Sequence, residues 1–214
     1  MGLLLCLARH GETDDNARRI FQGQGGIGLN TRGRAQAARL AERMRRNPPH
    51  AIVASDLERA VETAGIVSKA CGVPVELDRD LREVDVGAWT GKSYDEIARL
   101  FPEEWAAWEA GLDIRRGGGE KYSELAERVG RALDRVASRY RDAEAKILVV
   151  SHGGAIKSHI AKLLGVSPDG LRALAGVANA ALTAVERDTK GRHRLHSWND
   201  AAHLEGLVVD EHSD

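Results

Sequence analysis

Two short clusters hold the residue types that phosphoryl chemistry needs: Arg9-His10-Gly11-Glu12 near the start and Ser151-His152-Gly153-Gly154 far downstream. A neutral imidazole is largely unprotonated near pH 7, so it can attack phosphorus without a metal to activate it. Arginine offers a planar fork of donors that matches phosphate oxygens. Glycine beside them lets the backbone approach a ligand closely. Between the clusters, Asn16 and Gln22 supply neutral donors, and Gly23 frees further backbone amides. His10 is the candidate nucleophile. His152 suits a second role, donating to the transferring group, since one nucleophile suffices.

Two more residues complete a reaction scheme. Arg59 lies in Ser55-Asp56-Leu57-Glu58-Arg59-Ala60, at the first turn of an expected helix. A solvated arginine on a helix is the commoner fate of that residue. Its place just beyond a strand puts it on the rim where Arg9 and His10 emerge, whereas Glu62 reads as solvated. Glu83, in Leu81-Arg82-Glu83, can protonate the leaving oxygen and later take a proton from water. Composition alone does not separate it from Glu76, Asp78, Asp80 or Asp85.

The elements that must position these residues are legible in the hydrophobic pattern. Leu3 to Ala8, Ala51 to Ala54 and Ile147 to Val150 are short, continuously apolar runs, as expected for strands buried on both faces. Val73 to Leu77 reads as a third short strand, and the tail suggests two more, about Ala181–Glu186 and Arg194–Trp198. A loop spans Gly11 to Asn30, and a helix of about four turns follows with Asn30 or Thr31 as its cap. Ser55 or Asp56 caps the next helix, which Gly72 closes. Leu125, Val129, Leu133, Val136 and Tyr140 mark a long amphipathic helix, and another follows His152. Strands alternating with helices give a three-layer α/β/α domain, a mostly parallel sheet flanked by helices. Ligands in such sheets gather beyond the carboxyl ends of the strands, where both histidine clusters stand. The expectation is one domain over residues 1–214.

The ordered blocks resemble the histidine phosphatase superfamily, which includes the cofactor-dependent phosphoglycerate mutases. They are Leu7-Ala8-Arg9-His10-Gly11-Glu12-Thr13 with Asn16 and Gln22-Gly23, then Leu29 to Gly33 with Gln36-Ala37. Ser55 to Ala64 with Arg59, Leu81-Arg82-Glu83 and Ser151-His152-Gly153-Gly154 follow in the same order. So do Asn179 and Trp198-Asn199-Asp200 ahead of His203-Leu204. The resemblance spans nearly the whole chain and implies a phosphoglycerate mutase-like fold. It implies that His10 becomes the phosphohistidine and Glu83 the proton donor. Arg9, Arg59 and His152 hold the phosphoryl group, with Asn16, Gln22, Gly23 and Gly153 assisting, and no metal or cofactor is implied.

Three features depart from the family pattern or leave it open. Gly25-Gly26-Ile27-Gly28 stands where relatives often carry an Asp. Lys121 replaces a serine after Gly118-Gly119-Glu120; it is either solvated or adds positive charge for an anionic substrate. The segment 85–119 forms a small helical cover with a mobile Gly117-Gly118-Gly119 joint, and Trp89, Tyr94, Trp105 and Trp108 either line a lid or pack the cover. Relatives that are mutases carry a longer excursion between Glu83 and His152, sealing the site from water. The shorter excursion here favours a phosphomonoester hydrolase acting on a small phosphorylated metabolite. The alternatives are a phosphoglycerate mutase and, further off, a non-catalytic phosphate-binding module.

With 31 Lys+Arg against 32 Asp+Glu, no overall field favours nucleic acid or an anionic membrane, so any anion site must be local. Cys6 and Cys71 make no disulfide framework, and Cys6 reads as a buried thiol. No apolar run is long enough to span a membrane, so the expected address is cytoplasmic. No Gly-x-x-x-x-Gly-Lys loop is present to cradle a nucleotide triphosphate. The expected partner is a small phosphomonoester, with a homodimer left open. His159 reads as structural, and His193, His196 and His212 as solvated tail residues.

Overall fold

The computed structural model describes residues 2–140 and 144–207; His212 lies outside them. Six strands form one sheet in the order β3-β2-β4-β1-β5-β6. They are β1 (Gly2–Arg9), β2 (Ala51–Ala54), β3 (Val75–Leu77), β4 (Ala145–Ser151), β5 (Leu182–Asp188) and β6 (His193–Asp200). β1 to β4 run parallel, and β5 runs antiparallel to both its neighbours. The third strand begins at Val75 rather than Val73, because only Val75 to Leu77 pairs with β2.

Side-chain alternation along each buried strand divides the core into two layers. Leu3, Leu5, Leu7, Val53, Ile147 and Val149 face α6 (Tyr122–Arg139) and α7 (Gly153–Leu163). Cys6, Ala8, Ile52, Ala54, Leu148 and Val150 face α2 (Thr31–Arg45) and α3 (Glu58–Cys71). A sheet covered on both faces is the three-layer α/β/α arrangement that the continuous apolar runs require. The thiol of Cys6 is buried in the second layer. Among the described residues, no helix is long and apolar enough to cross a membrane.

The loop after β1 contains one short helix, α1 (Asp14–Ala17), capped by Thr13, whose hydroxyl oxygen accepts the Asn16 amide. Asn30 caps α2 by accepting the Gly33 amide at 2.7 Å. Gly11 and Gly33 make that junction sterically feasible. A Cβ on Gly11 would sit 2.4 Å from the Gly33 carbonyl oxygen, and one on Gly33 2.0 Å from that of Glu12. The loop therefore lies flat on the start of α2.

The cover is built from α4 (Tyr94–Leu100), α5 (Pro102–Glu109) and two 3-10 turns, Gly87–Trp89 and Arg116–Gly118. Its aromatic residues pack on one another. Trp105 and Trp108 have ring centroids 4.8 Å apart, Phe21 stacks on Tyr94 at 4.8 Å, and Trp89 is fully buried. Packing, not a free-standing lid, accounts for Trp89, Trp105 and Trp108. The Gly117-Gly118-Gly119 joint serves close approach: a Cβ on Gly117 would lie 2.6 Å from Val86 O, and one on Gly119 2.3 Å from Asp85 O. Glu104 accepts the Gly117 amide at 2.7 Å, tying the joint to α5.

Candidate active site

His10 follows the last residue of β1, and its amide donates to the Ser151 carbonyl of β4 at 2.9 Å. The sheet order thus places the two distant histidines side by side, with ring centroids 5.2 Å apart. His10 Nδ1 lies 2.6 Å from the Gly11 carbonyl, which can only accept, so the ring proton is on Nδ1. Nε2 is left with its lone pair. That is the atom a phosphoryl acceptor must offer.

His10 is almost fully buried, and burial pushes its pKa well below the ordinary value, with the Arg9 and Arg59 charges adding to the effect. Arg59 is also buried, which brings its guanidinium down to about 10. Its Nη1 and Nη2 donate to the carbonyls of Gly25 (2.6 Å) and Gly23 (2.7 Å), while Nε points at His10 Nε2, 3.3 Å away. The glycine-rich loop at 23–28 therefore acts as a backbone clamp that aims Arg59. Gly26, at φ +94°, keeps that loop close to Gln22 and Arg59. Arg9 Nη1 donates to the Val177 carbonyl at 2.7 Å, and its Nε is buried without a partner.

His152 is fully buried and caps the start of α7. Its Nε2 lies 2.8 Å from Ser55 Oγ, which already accepts the Leu57 amide. With the Ser55 hydroxyl donating to Nε2, the ring proton sits on Nδ1, which has no protein partner. A buried unpaired donor beside two arginines is suited to an anionic oxygen. Burial, then Arg59, His10 and Arg9, holds the pKa of His152 well below the ordinary value.

Glu83 approaches from the other side. Its carboxylate accepts the amides of Gly154 (3.0 Å) and Ala155 (3.1 Å) at the start of α7, and that of Val84 (2.9 Å). A Cβ on Gly154 would lie 2.4 Å from Glu83 Oε1, so a larger residue there would push the carboxylate away. The loop bearing Glu83 is gripped by Arg128, which donates to the carbonyls of Asp80, Arg82 and Glu83 and pairs with Glu120. Gly153, at the first turn of α7, packs against the Arg9 side chain.

The remaining expected residues, Asn16 and Gln22, lie in the segment between β1 and α2. Gln22 is buried with its Oε1 unpaired. Asn16 Oδ1 accepts from the Thr13 amide and from Asn179 Nδ2, which also donates to the His10 carbonyl. Ser55 and Asp56 do not cap α3. Leu57 occupies the cap position without a side-chain bond, because Ser55 serves His152 and Asp56 forms a bidentate pair with Arg82 at 2.6 Å. Glu62 is not merely solvated: its carboxylate accepts the Leu29 amide and pairs with Arg34, anchoring the loop that leads into α2.

Sequence reasoning missed Thr63, whose hydroxyl accepts the Gly11 amide and donates to the Arg59 carbonyl. Its place one turn after Arg59 on the same face of α3 was the available signal. His159 is buried on α7, which brings its pKa down to about 4, while His193 and His196 are exposed.

The buried neutral histidines make a pH prediction. In the unfolded chain a histidine takes up a proton near pH 6.5, whereas His10, His152 and His159 stay neutral in the fold. Below that pH the unfolded state binds more protons, so stability falls as pH falls. The melting temperature should decline steadily from about pH 7 to pH 5, as unfolding free energy falls by up to roughly 1.4 kcal/mol per pH unit for each such histidine. A flat profile across that range would mean the rings are charged in the fold.

Two histidines and two arginines around one buried space at the carboxyl ends of parallel strands make a site shaped and charged for a phosphoryl group. A model of the histidine phosphatase superfamily (branch 1) matches residues 5–201, and the chain belongs to that superfamily. It is 35% identical over 206 residues to "Phosphoglycerate mutase-like protein 4" of Arabidopsis thaliana, covering 94% of this chain and 86% of that one. It is 34% identical over 209 residues to "Metal-independent phosphoserine phosphatase" of the same plant, covering 95% and 84%. A solved mycobacterial glucosyl-3-phosphoglycerate phosphatase in complex with VO3 superposes with a TM-score of 0.83 at 33% identity, over 92% of this chain and 99% of that one.

Proposed function

We propose that the protein is a phosphomonoester hydrolase that works through a phosphohistidine on His10. The observation that carries this reading is the tautomer of His10: Nδ1 is committed to the Gly11 carbonyl, and Nε2 keeps an unprotonated lone pair that accepts the Arg59 Nε hydrogen at 3.3 Å, an N–H that can turn to an incoming phosphoryl oxygen. His10 Nε2 attacks phosphorus and the P–O bond to the alcohol breaks, the electron pair leaving on oxygen. Glu83 gives that oxygen its proton. Arg9, Arg59 and His152 hold the non-bridging oxygens as charge spreads over them. In the return step Glu83 takes a proton from water, the water oxygen attacks phosphorus, and the N–P bond pair returns to Nε2. The products are the alcohol and inorganic phosphate. The relatives named as phosphatases support hydrolysis.

A second reading, phosphoryl return to an organic acceptor, draws support from the mutase-like relative. The two separate in one assay, run with chelator present. Phosphate release from a panel of phosphomonoesters is scored against isomerisation of 3-phosphoglycerate. Hydrolysis is expected to dominate and to survive the chelator. Isomerisation faster than phosphate release would establish the mutase instead, and chelator loss restored by metal would remove the metal-free scheme.

A further inference from the structure

The turn over residues 177–181, just ahead of β5, grips Arg9 and His10 through their backbones. The Arg9 amide donates to the Ala181 carbonyl at 3.2 Å, and the Ala180 amide is shared between the Arg9 and His10 carbonyls at 3.1 Å each. Asn179 Nδ2 donates to the same His10 carbonyl, and the Val177 carbonyl takes Arg9 Nη1. The His10 carbonyl and the Gly11 amide form one peptide plane, whose amide end is held by Thr63. The next carbonyl, that of Gly11, takes the His10 Nδ1 proton. The turn therefore helps to decide where Nε2 points.

That turn needs support of its own. Ala180 is fully buried and sits in the left-handed region at φ +57°, a conformation unfavourable for alanine that persists only where its surroundings impose it. We infer that His203 is a positioning residue for phosphoryl transfer: it straps this turn to α2 and so sets the orientation of the His10 ring. The inference rests on the phosphohistidine reading above.

His203 lies in a 3-10 turn, Ala202–Leu204, with Nε2 3.1 Å from the Ala180 carbonyl. A carbonyl can only accept, so the ring proton is on Nε2 and Nδ1 keeps its lone pair. That lone pair takes Arg43 Nη1 at 3.2 Å, while Arg43 Nη2 pairs with Asp200. Only a neutral imidazole can make both bonds. Burial, then the Arg43 charge, holds the His203 pKa below its ordinary value, and the bond from Arg43 brings Asp200 down to about 2. Asn199, at φ +53°, secures the start of the turn, its Oδ1 accepting the Ala178 amide at 2.7 Å. Among the described residues, no side-chain bond of Asn199, Asp200 or His203 goes to Arg59, Glu83 or His152. Their effect on the site must pass through the turn. Arg43 belongs to the helix whose first turn packs against Gly11 at Gly33, so α2 braces the His10 peptide from two directions.

Single-turnover formation of the phosphoenzyme from nitrophenyl phosphate, normalised to the protein able to form the adduct, tests this. The rate is expected to fall about tenfold or more in His203→Ala, with half-saturation unchanged within about twofold, because a small misplacement of the nucleophile costs rate rather than binding. His203→Gln, whose amide can still donate to the Ala180 carbonyl, should recover most of that loss. Arg43→Met should slow the step as well, and adding it to His203→Ala should cost nothing further, since the two act in series. In the resting enzyme the downfield Nδ1 proton resonance of His10, assigned by its loss in His10→Ala, should shift or broaden in His203→Ala. A His203→Ala protein that melts lower but keeps the wild-type rate and resonance would overturn the inference, as would a His203→Gln protein as slow as His203→Ala. If His203→Ala does not fold, Arg43→Met is read by the same rate and resonance, and no change in either overturns the inference equally. The resonance requires no turnover. Its shift in a protein whose wild type forms no phosphoenzyme would sink the hydrolase reading and leave the positioning role standing.

Discussion

Rapid quench with a labelled phosphomonoester is expected to trap an acid-labile, alkali-stable adduct, and His10→Ala is expected to abolish it. Turnover should fall by about three orders of magnitude or more, because the substitution removes the covalent route and leaves only binding and electrostatic stabilisation. The cause is local. Nε2 of His10 accepts from Arg59 Nε at 3.3 Å, and the His152 ring stands beside it with centroids 5.2 Å apart. His152 cannot take over as nucleophile, since its Nε2 is occupied by Ser55. Label retained on the His10→Ala protein would overturn the assignment. The fold should tolerate the change, because the backbone of His10 is held independently through Ser151 and Ala180.

Glu83→Gln should divide substrates by leaving group. Alkyl phosphates need the proton at the moment of P–O cleavage, so their turnover should drop by about 10²- to 10⁴-fold. Nitrophenyl phosphate leaves as a stable phenolate, so its first step should suffer much less. Equal losses on both classes would remove Glu83 as the acid. The amide keeps an acceptor oxygen for the α7 amides, but its NH₂ would face one of the N–H groups that the carboxylate now accepts. A modest loss of stability is therefore expected beside the kinetic effect, and melting curves separate the two.

The layered fold was legible because the strands are buried on both faces and read as unbroken apolar runs. Leu3 to Ala8 and Ile147 to Val150 fall inside β1 and β4. The pairing of those two strands was not legible in periodicity, yet it is what brings His10 to His152. Glu83 was singled out by the family pattern in Leu81-Arg82-Glu83, while the charged residues Arg9 and Arg59 stood out by type and position. Those that act through a single hydroxyl or amide did not. Ser55 looked like a helix cap because serine before a helix usually is one. Its oxygen instead meets a histidine from another strand, a contact no local pattern encodes. Thr63 was obscure for the same reason, since it bonds to backbone brought close only by the finished fold, and Asn179 was marked by the family pattern but not by any sign of its bond to the His10 carbonyl. The glycine loop at 25–28, read as a departure from the family pattern, supplies a carbonyl that aims Arg59.

The position of β1 in the sheet bears on how the protein is made. Its only partners are β4 and β5, which lie more than 130 residues further along the chain. During synthesis the apolar run from Leu3 to Ala8 leaves the ribosome long before either neighbour exists. Its unpaired edges must wait, open to misplaced pairing, until residues 145–188 emerge. Such non-local closure slows folding and favours chaperone dependence. Truncations ahead of residue 182 should accordingly accumulate as insoluble chains, not as smaller folded units.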